Sequence, residues 1–219
     1  MLIKVFKFGG ASVRDAEGFR NVGAILKKFA EEKIAVVVSA MGKTTNALEE
    51  VVKSHHARDG KASGLLDGIR NSHISLISEL FAEPADVIDD LNETLVQVEW
   101  VLDEEPHEDY DYSYDQIVSV GELLSSQILA AYVKSLGISS KWLDIRDVIL
   151  TDNTYRDARI QWEATQKNTK EKVLPLFEEV NHIITQGFIG STSENFTTTL
   201  GREGSDYTAA ILSYCLDAS

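Results

Sequence analysis

Of 219 residues only three are proline and one is cysteine, and 21 basic side chains face 35 acidic ones. No uninterrupted apolar run approaches the ~18 residues that a membrane span needs. Each shortage excludes something. The few prolines, with no low-complexity tract, point to one globular domain with room for a small lobe. A single cysteine, Cys215, has no internal disulfide partner, and a core thiol in a reducing compartment is the reading it favours. The formal charge of −14 argues against nucleic acid and against a membrane surface as partners, since both require a basic patch. No signal peptide precedes the first strand, so the expectation is a soluble, cytoplasmic chain. What is present is 43% hydrophobic residues, ample for a core.

The stretch LIKVFKF (2–8) is β-branched and aromatic and ends at Gly9-Gly10, as a strand entering a tight turn does. Ser12 with Asp15 resembles a capping box, and apolar residues then recur at helical spacing from Val13 to Glu31. IAVVVSA (34–40) is nearly continuous in apolar residues, the pattern of a strand buried on both faces of a parallel sheet. Helical periodicity predominates from about 45 to 136, and Pro84 and Pro106 divide it into about four helices. Residues 103–115 hold seven acids and no Lys or Arg, and read as a solvated connection. Strand and helix then alternate: KWLDI (141–145), a helix near 161–179, HIITQGF (182–188) and a last helix near 206–216. This order predicts an α/β sandwich around a mainly parallel sheet, with no internal repeat.

Four loops carry residues whose chemistry exceeds what the fold needs. Lys7 ends an apolar strand beside Gly9 and Gly10, where ligands bind in open α/β sheets; an edge lysine and an ordinary turn is the alternative. VVSAMGKTTNAL (37–48) runs from a buried strand into Ser39, Thr44 and Thr45, hydroxyls that either cap a helix or line a site. Glu122, in SVGELLSS, shares a helical face with Val118 and Leu129 and is either partly exposed or in need of a cation. In TLGREGSDYTAA (199–210), Ser205 could cap the last helix and Asp206 could complement its dipole. Neither role explains Arg202, whose guanidinium fork suits a carboxylate. Two cationic and two anionic positions at loop ends of one sheet fit a zwitterionic small ligand and a phosphate. The five histidines show no metal-ligand spacing, and no protein metal site is expected.

Four blocks, KFGGASV, VVSAMGKTTNAL, SVGELLSS and TQGFIGST…TTTLGREGSDYTAAIL, in this order, resemble the aspartate kinases of the amino-acid kinase family, and the resemblance covers the whole chain. It implies a three-layer αβα sandwich and transfer of the ATP γ-phosphoryl group to the side-chain carboxylate of L-aspartate. The product, 4-phospho-L-aspartate, leads toward lysine through diaminopimelate, and to threonine and methionine. By resemblance, Lys7 meets the transferring group, and Phe8, Gly9 and Gly10 cradle the phosphates. Ser39 and Thr45 line the aspartate pocket, Glu122 takes the substrate ammonium, and Arg202, with Ser205 beside it, takes the α-carboxylate. Asp206 organises the catalytic lysine. ATP is implied as co-substrate, with Mg²⁺ held mainly through its phosphates. A carboxylate nucleophile with a pKa near ~4 is already ionised at neutral pH, so no general base is required. Catalysis then rests on positioning and charge neutralisation.

The sequence departs from the family pattern in three ways. Ala11 stands where many members carry a hydroxyl, and Glu203 where glycine is common. Family members also continue past the last helix into segments that hold adenine and ribose, and then into regulatory ACT domains, none of which is present. The expectation is therefore residues 1–219 of a kinase domain incomplete at its C-terminus, binding ATP poorly by itself and turning over slowly or not at all. The resemblance also implies a homo-oligomer in the full-length form. Two rivals stay open: a sister kinase acting on acetylglutamate, glutamate or a nucleotide, and a non-catalytic binding or assembly subunit of the same fold.

Overall fold

Five consecutive residues, Ile34 to Val38, are at most 1% exposed, and four of them are β-branched. Such a run forms a central strand, because stiff branched side chains pack on both pleated faces. In the computed structural model, which describes residues 2–218, this run lies in β2 (Lys33–Val38). On one side β2 pairs in parallel with β1 (Ile3–Phe8), and on the other with β4 (His182–Gln186). Beyond β4 lies β3 (Ser140–Leu143), also parallel, giving the order β1-β2-β4-β3. A separate antiparallel pair, β5 (Ile189–Ser191) and β6 (Thr197–Thr199), follows directly after β4.

Helix α1 (Ala16–Lys28) crosses from β1 to β2. Its cap is Asp15, whose Oδ1 accepts from the Gly18 N–H at 2.9 Å. Ser12 belongs to the preceding turn, so the expected Ser12–Asp15 capping box is replaced by a single aspartate cap. Between β2 and β3 lie five helices rather than four: α2 (Thr44–Ala57), α3 (Ala62–Leu80), α4 (Ala85–Asp103), α5 (Tyr110–Val118) and α6 (Val120–Ser135). Two of the four breaks fall without proline, one at 58–61, where Arg58 and Gly60 take positive φ, and one at Ser119. The combined stretch Tyr110–Ser135 is long and apolar enough by composition to cross a membrane, but 72% of its 18-residue window is buried inside the fold. Its apolar residues are core.

The helix expected near 161–179 is interrupted. It runs as α7 (Trp162–Asn168), a π-helical turn at Thr169–Val173 and α8 (Leu176–Glu179). Pro175, which has no N–H to give, precedes α8, and the Leu174 N–H reaches back to the Thr169 carbonyl at 3.1 Å. The last helix, α9 (Gly204–Cys215), begins two residues earlier than its pattern predicts. Its capping position is Glu203 in a left-handed conformation with no side-chain cap, so Ser205 lies inside the helix rather than at its cap.

Helix α6 packs on β2, β3 and β4 with α1 beside it, while α9 packs on β1 and β2 and α8 on β4. The result is a three-layer αβα sandwich. All four parallel strands end on one side, so the loops after Phe8, Val38 and Gln186 open together. That edge is where open parallel sheets bind ligands.

Candidate active site

A cavity of about 280 Å³ opens at this edge. The loop after β1 is pressed against the loop after β2: the Gly42 N–H donates to the Gly10 carbonyl at 3.1 Å, and Ser39 N–H to the Phe8 carbonyl at 3.0 Å. A Cβ on Gly10 would lie 2.7 Å from the Ala40 carbonyl oxygen, so only glycine allows this approach. Lys7, alternating to the α9 side of β1, meets Asp206 in the first turn of that helix. Its Nζ lies 3.0 Å from Oδ1 and 3.1 Å from Oδ2. A Cβ on Gly9 would fall 3.5 Å from the same Nζ, so the ammonium hangs over the glycine pair.

The opposite wall is Glu122, 3% exposed at the start of α6. Its Oε1 accepts from the Ala40 N–H at 3.3 Å, and its Oε2 has no hydrogen-bond partner among the described residues. Burial pushes its carboxyl up to about 8. Two neighbours fix it in place. Ser125 donates to the Ser39 carbonyl at 2.8 Å, and Gly121 packs so closely that a Cβ would lie 3.1 Å from that of Ala40. Ser126, small in sequence, accepts from both Gln186 (2.8 Å) and Trp142 (2.9 Å), tying α6 to the sheet.

Of the residues singled out in sequence, Lys7, Gly10, Ser39, Thr45, Glu122, Ser205 and Asp206 line the cavity. Helix α2 has no side-chain cap, which leaves the Thr45 hydroxyl to the cavity rather than to capping. Phe8 and Gly9 are not part of this lining. Arg202 is not brought in: its side chain is exposed and makes no hydrogen bond or ion pair among the described residues, and Glu203 lines the cavity in its place. The glycines on either side, Gly201 (φ 73°) and Gly204, shape this loop.

Phe188 was not anticipated. It lines the cavity at φ 72°, where a bulky side chain is rare, and is held by Thr208 and Leu200: its N–H donates to Thr208 Oγ1 at 3.0 Å and its carbonyl accepts from the Leu200 N–H at 2.8 Å. The sequence signal was Gly187, where a Cβ would fall 2.5 Å from that of Ser205, so α9 rests directly on the end of β4.

A larger cleft of about 640 Å³ lies beside β3, α4 and α6. Two of its three cations are already paired, Arg146 with Asp144 at 2.6 Å and Lys141 with Glu179 at 3.3 Å; only Lys134 has no ion pair among the described residues, and no buried unpartnered carboxyl faces it as Glu122 does in the smaller cavity. Among the described residues no group of three or more His, Cys, Asp or Glu is placed to hold a metal ion.

The cavity can therefore hold a small ligand with a cationic group near Glu122 and an anionic group near Lys7. Several known proteins are similar to this chain. Lysine-sensitive aspartokinase 3 of Escherichia coli is 32% identical over 99% of this chain and 47% of its own length. The aspartokinase of Chlamydia trachomatis is 35% identical over 95% of this chain and 45% of its own. The crystal structure of E. coli aspartokinase III in complex with aspartate and ADP superposes with a TM-score of 0.90 at 30% identity, covering all of this chain and 48% of that one. The chain spans about half the length of these relatives. A model of the amino acid kinase family matches residues 3–219, and the chain belongs to that family.

Proposed function

We propose that this chain is the aspartate-binding, phosphate-facing part of an aspartate kinase, which transfers the γ-phosphoryl group of ATP to the side-chain carboxylate of L-aspartate as a first step toward lysine, threonine and methionine. The observation that carries this reading is the buried Glu122 carboxyl, its Oε2 unpartnered among the described residues, across one small cavity from the Lys7–Asp206 pair. An unsatisfied buried carboxyl gains most from a ligand ammonium. An N-acylated amine carries no charge to offer it, so Glu122 favours a free amino acid over acetylglutamate. Arg202, exposed at the rim, swings to the α-carboxylate, and Ser39, Thr45 and Ser205 supply neutral donors. The carboxylate oxygen attacks the γ-phosphorus, the bond to the β-phosphate bridging oxygen breaks, and ADP leaves with that electron pair. Lys7 neutralises charge on the transferring group, and Asp206 holds the ammonium in line over Gly9. The glycine cradle fits phosphate, since a Cβ at Gly10 would fill it. Mg²⁺, entering on the nucleotide, shields the phosphate charge when bound. The E. coli aspartokinase III complex with aspartate and ADP supports this reading by its similarity.

Thermal unfolding with L-aspartate or L-glutamate tests the pocket directly. At a ligand concentration ~100 times the dissociation constant, a specific site adds about 2.7 kcal/mol. L-Aspartate is expected to raise the midpoint and L-glutamate to leave it. Equal shifts, or none for either, would sink the assignment.

A further inference from the structure

The acidic stretch 103–115 is not all solvated connection. Asp109 caps α5, and Asp115 is 0% exposed. Its Oδ2 accepts from the backbone N–H of Thr199 at 2.8 Å and of Arg156 at 3.0 Å, and its Oδ1 accepts from the Thr199 hydroxyl at 2.6 Å. The next residue, Gln116, grips Thr197 by both backbone groups, donating to its carbonyl at 2.8 Å and accepting from its N–H at 3.3 Å. Helix α5 thus holds β6 by side chains alone. The turn that supplies the Arg156 N–H also underlies the loop after β6. The Ala158 N–H donates to the Thr199 carbonyl at 3.0 Å, and a Cβ on Gly201 would lie 2.8 Å from Asp157 Oδ1.

We propose that Asp115 is a positioning residue for the 200–203 loop, fixing through its three hydrogen bonds the backbone from which Arg202 projects. The loop has little to hold it otherwise. Between Leu200, which donates to the Phe188 carbonyl, and the first turn of α9, its one internal backbone hydrogen bond among the described residues is the Gly204 N–H to the Gly201 carbonyl at 3.1 Å. Its placement is inherited from its two ends, and Asp115 sets the first. A buried carboxylate with three donors is directional in a way that apolar packing is not, because removing it leaves two N–H groups and a hydroxyl without partners. Helices α5 and α6 are one residue apart, so the anchor of this loop and the pocket glutamate, Glu122, sit on adjoining helices.

This inference rests on the aspartate-kinase reading, and its test separates the two. Asp115→Ala is expected to raise the dissociation constant for L-aspartate about tenfold or more, as loss of hydrogen bonds to a charged group does, and in the full-length form to raise the KM for L-aspartate likewise, with the KM for MgATP little changed. Amide exchange at residues 199–203 should quicken while β1 and β2 stay protected. Asp115→Asn should largely restore aspartate binding: its amide oxygen replaces Oδ2, and its NH₂ faces the Thr199 hydroxyl, which turns to accept. Unchanged aspartate binding in Asp115→Ala would overturn the proposal, as would an Asn variant as impaired as the Ala variant. If Asp115→Ala does not fold, Thr199→Val, which deletes one of the three bonds, is expected to weaken aspartate binding and quicken exchange in the loop, and no change in either would refute the role. A parent protein blind to L-aspartate would overturn the functional reading instead, while exchange at 199–203 would still report on the anchor.

Discussion

The two walls of the cavity are built by different means. The Lys7 wall is made of sheet register and glycine: β1 and β2 run in parallel to their ends, and Gly9 and Gly10 let their loops touch. The Glu122 wall and the loop facing it are made of buried polar contacts between residues far apart in sequence, such as Ser125 with Ser39 and Asp115 with Thr199. Apart from the Lys7–Asp206 pair, the first wall comes from the first 42 residues and from regular register. The other is long-range and strained, with Phe188 and Glu203 both at positive φ. In the proposed reaction this division matches a division of labour, with phosphoryl transfer at the first wall and amino-acid selection at the second.

The largest expected effects separate the walls. Lys7→Met removes the charge over the glycine pair and should lower phosphoryl transfer by the full-length form roughly 10³-fold, the scale of losing a transition-state charge contact. L-Aspartate affinity should barely move. The fold should survive, because the partner left behind, Asp206, is 63% exposed. Arg202→Leu should do the reverse, abolishing aspartate binding by calorimetry while the melting temperature holds, because its side chain is exposed. If both variants lose binding and transfer in parallel, the cavity has one functional unit and the comparison fails.

A smaller effect concerns the proton on Glu122. In the ligand-free protein its carboxyl is raised to about 8 from an ordinary 4.5 by burial, so it is largely neutral at pH 7. An ammonium ligand favours the ionised form, so docking should release about one proton to solvent at that pH. Affinity for L-aspartate should then rise with pH between 6 and 8, by about tenfold per unit at the lower end. The stability consequence has the opposite sense. A raised carboxyl pKa favours the fold below about 4.5, and that contribution is lost as pH climbs through about 8. Calorimetry in buffers of different ionisation heat counts the proton. Glu122→Gln should abolish both the release and the pH slope, and a slope that persists in that variant would place the titrating group elsewhere.

The same contrast governs how much was legible in sequence. β1, β2, Lys7 and the glycine pair declare themselves through composition over a few residues, and the parallel sheet follows from strand–helix alternation. Glu122 was visible as an acid on an apolar face, although its burial was not. Asp115 was hidden among six other acids, because what distinguishes it is Thr199, 84 residues away. The β5–β6 pair was missed because three-residue strands rich in Thr and Gly carry no clear period. Phe188 was missed because its backbone is fixed by Thr208 and Leu200 rather than by local preference. Arg202 illustrates a further limit: the motif names it, yet its side chain lies outside the cavity lining.

The smallest effect tests the strain in the second wall alone. Glu203 caps α9 at φ 58° and ψ 23°, where glycine is at ease and a side chain costs ~1–2 kcal/mol. Glycine would also free the unfolded chain, at a cost of about 0.5–1 kcal/mol, so Glu203→Gly should stabilise the protein by roughly 1 kcal/mol. For a chain of this size that is a rise of about 2–4 °C in Tm. Removing a carboxylate from the cavity lining should leave L-aspartate affinity equal or slightly tighter, since the ligand carries two anionic groups and one cationic group. A lower Tm would mean that the Glu203 side chain stabilises the helix start by more than its backbone strains it. Weaker aspartate binding would mean that the cavity uses this acid, and the second wall would then hold two functional carboxylates rather than one.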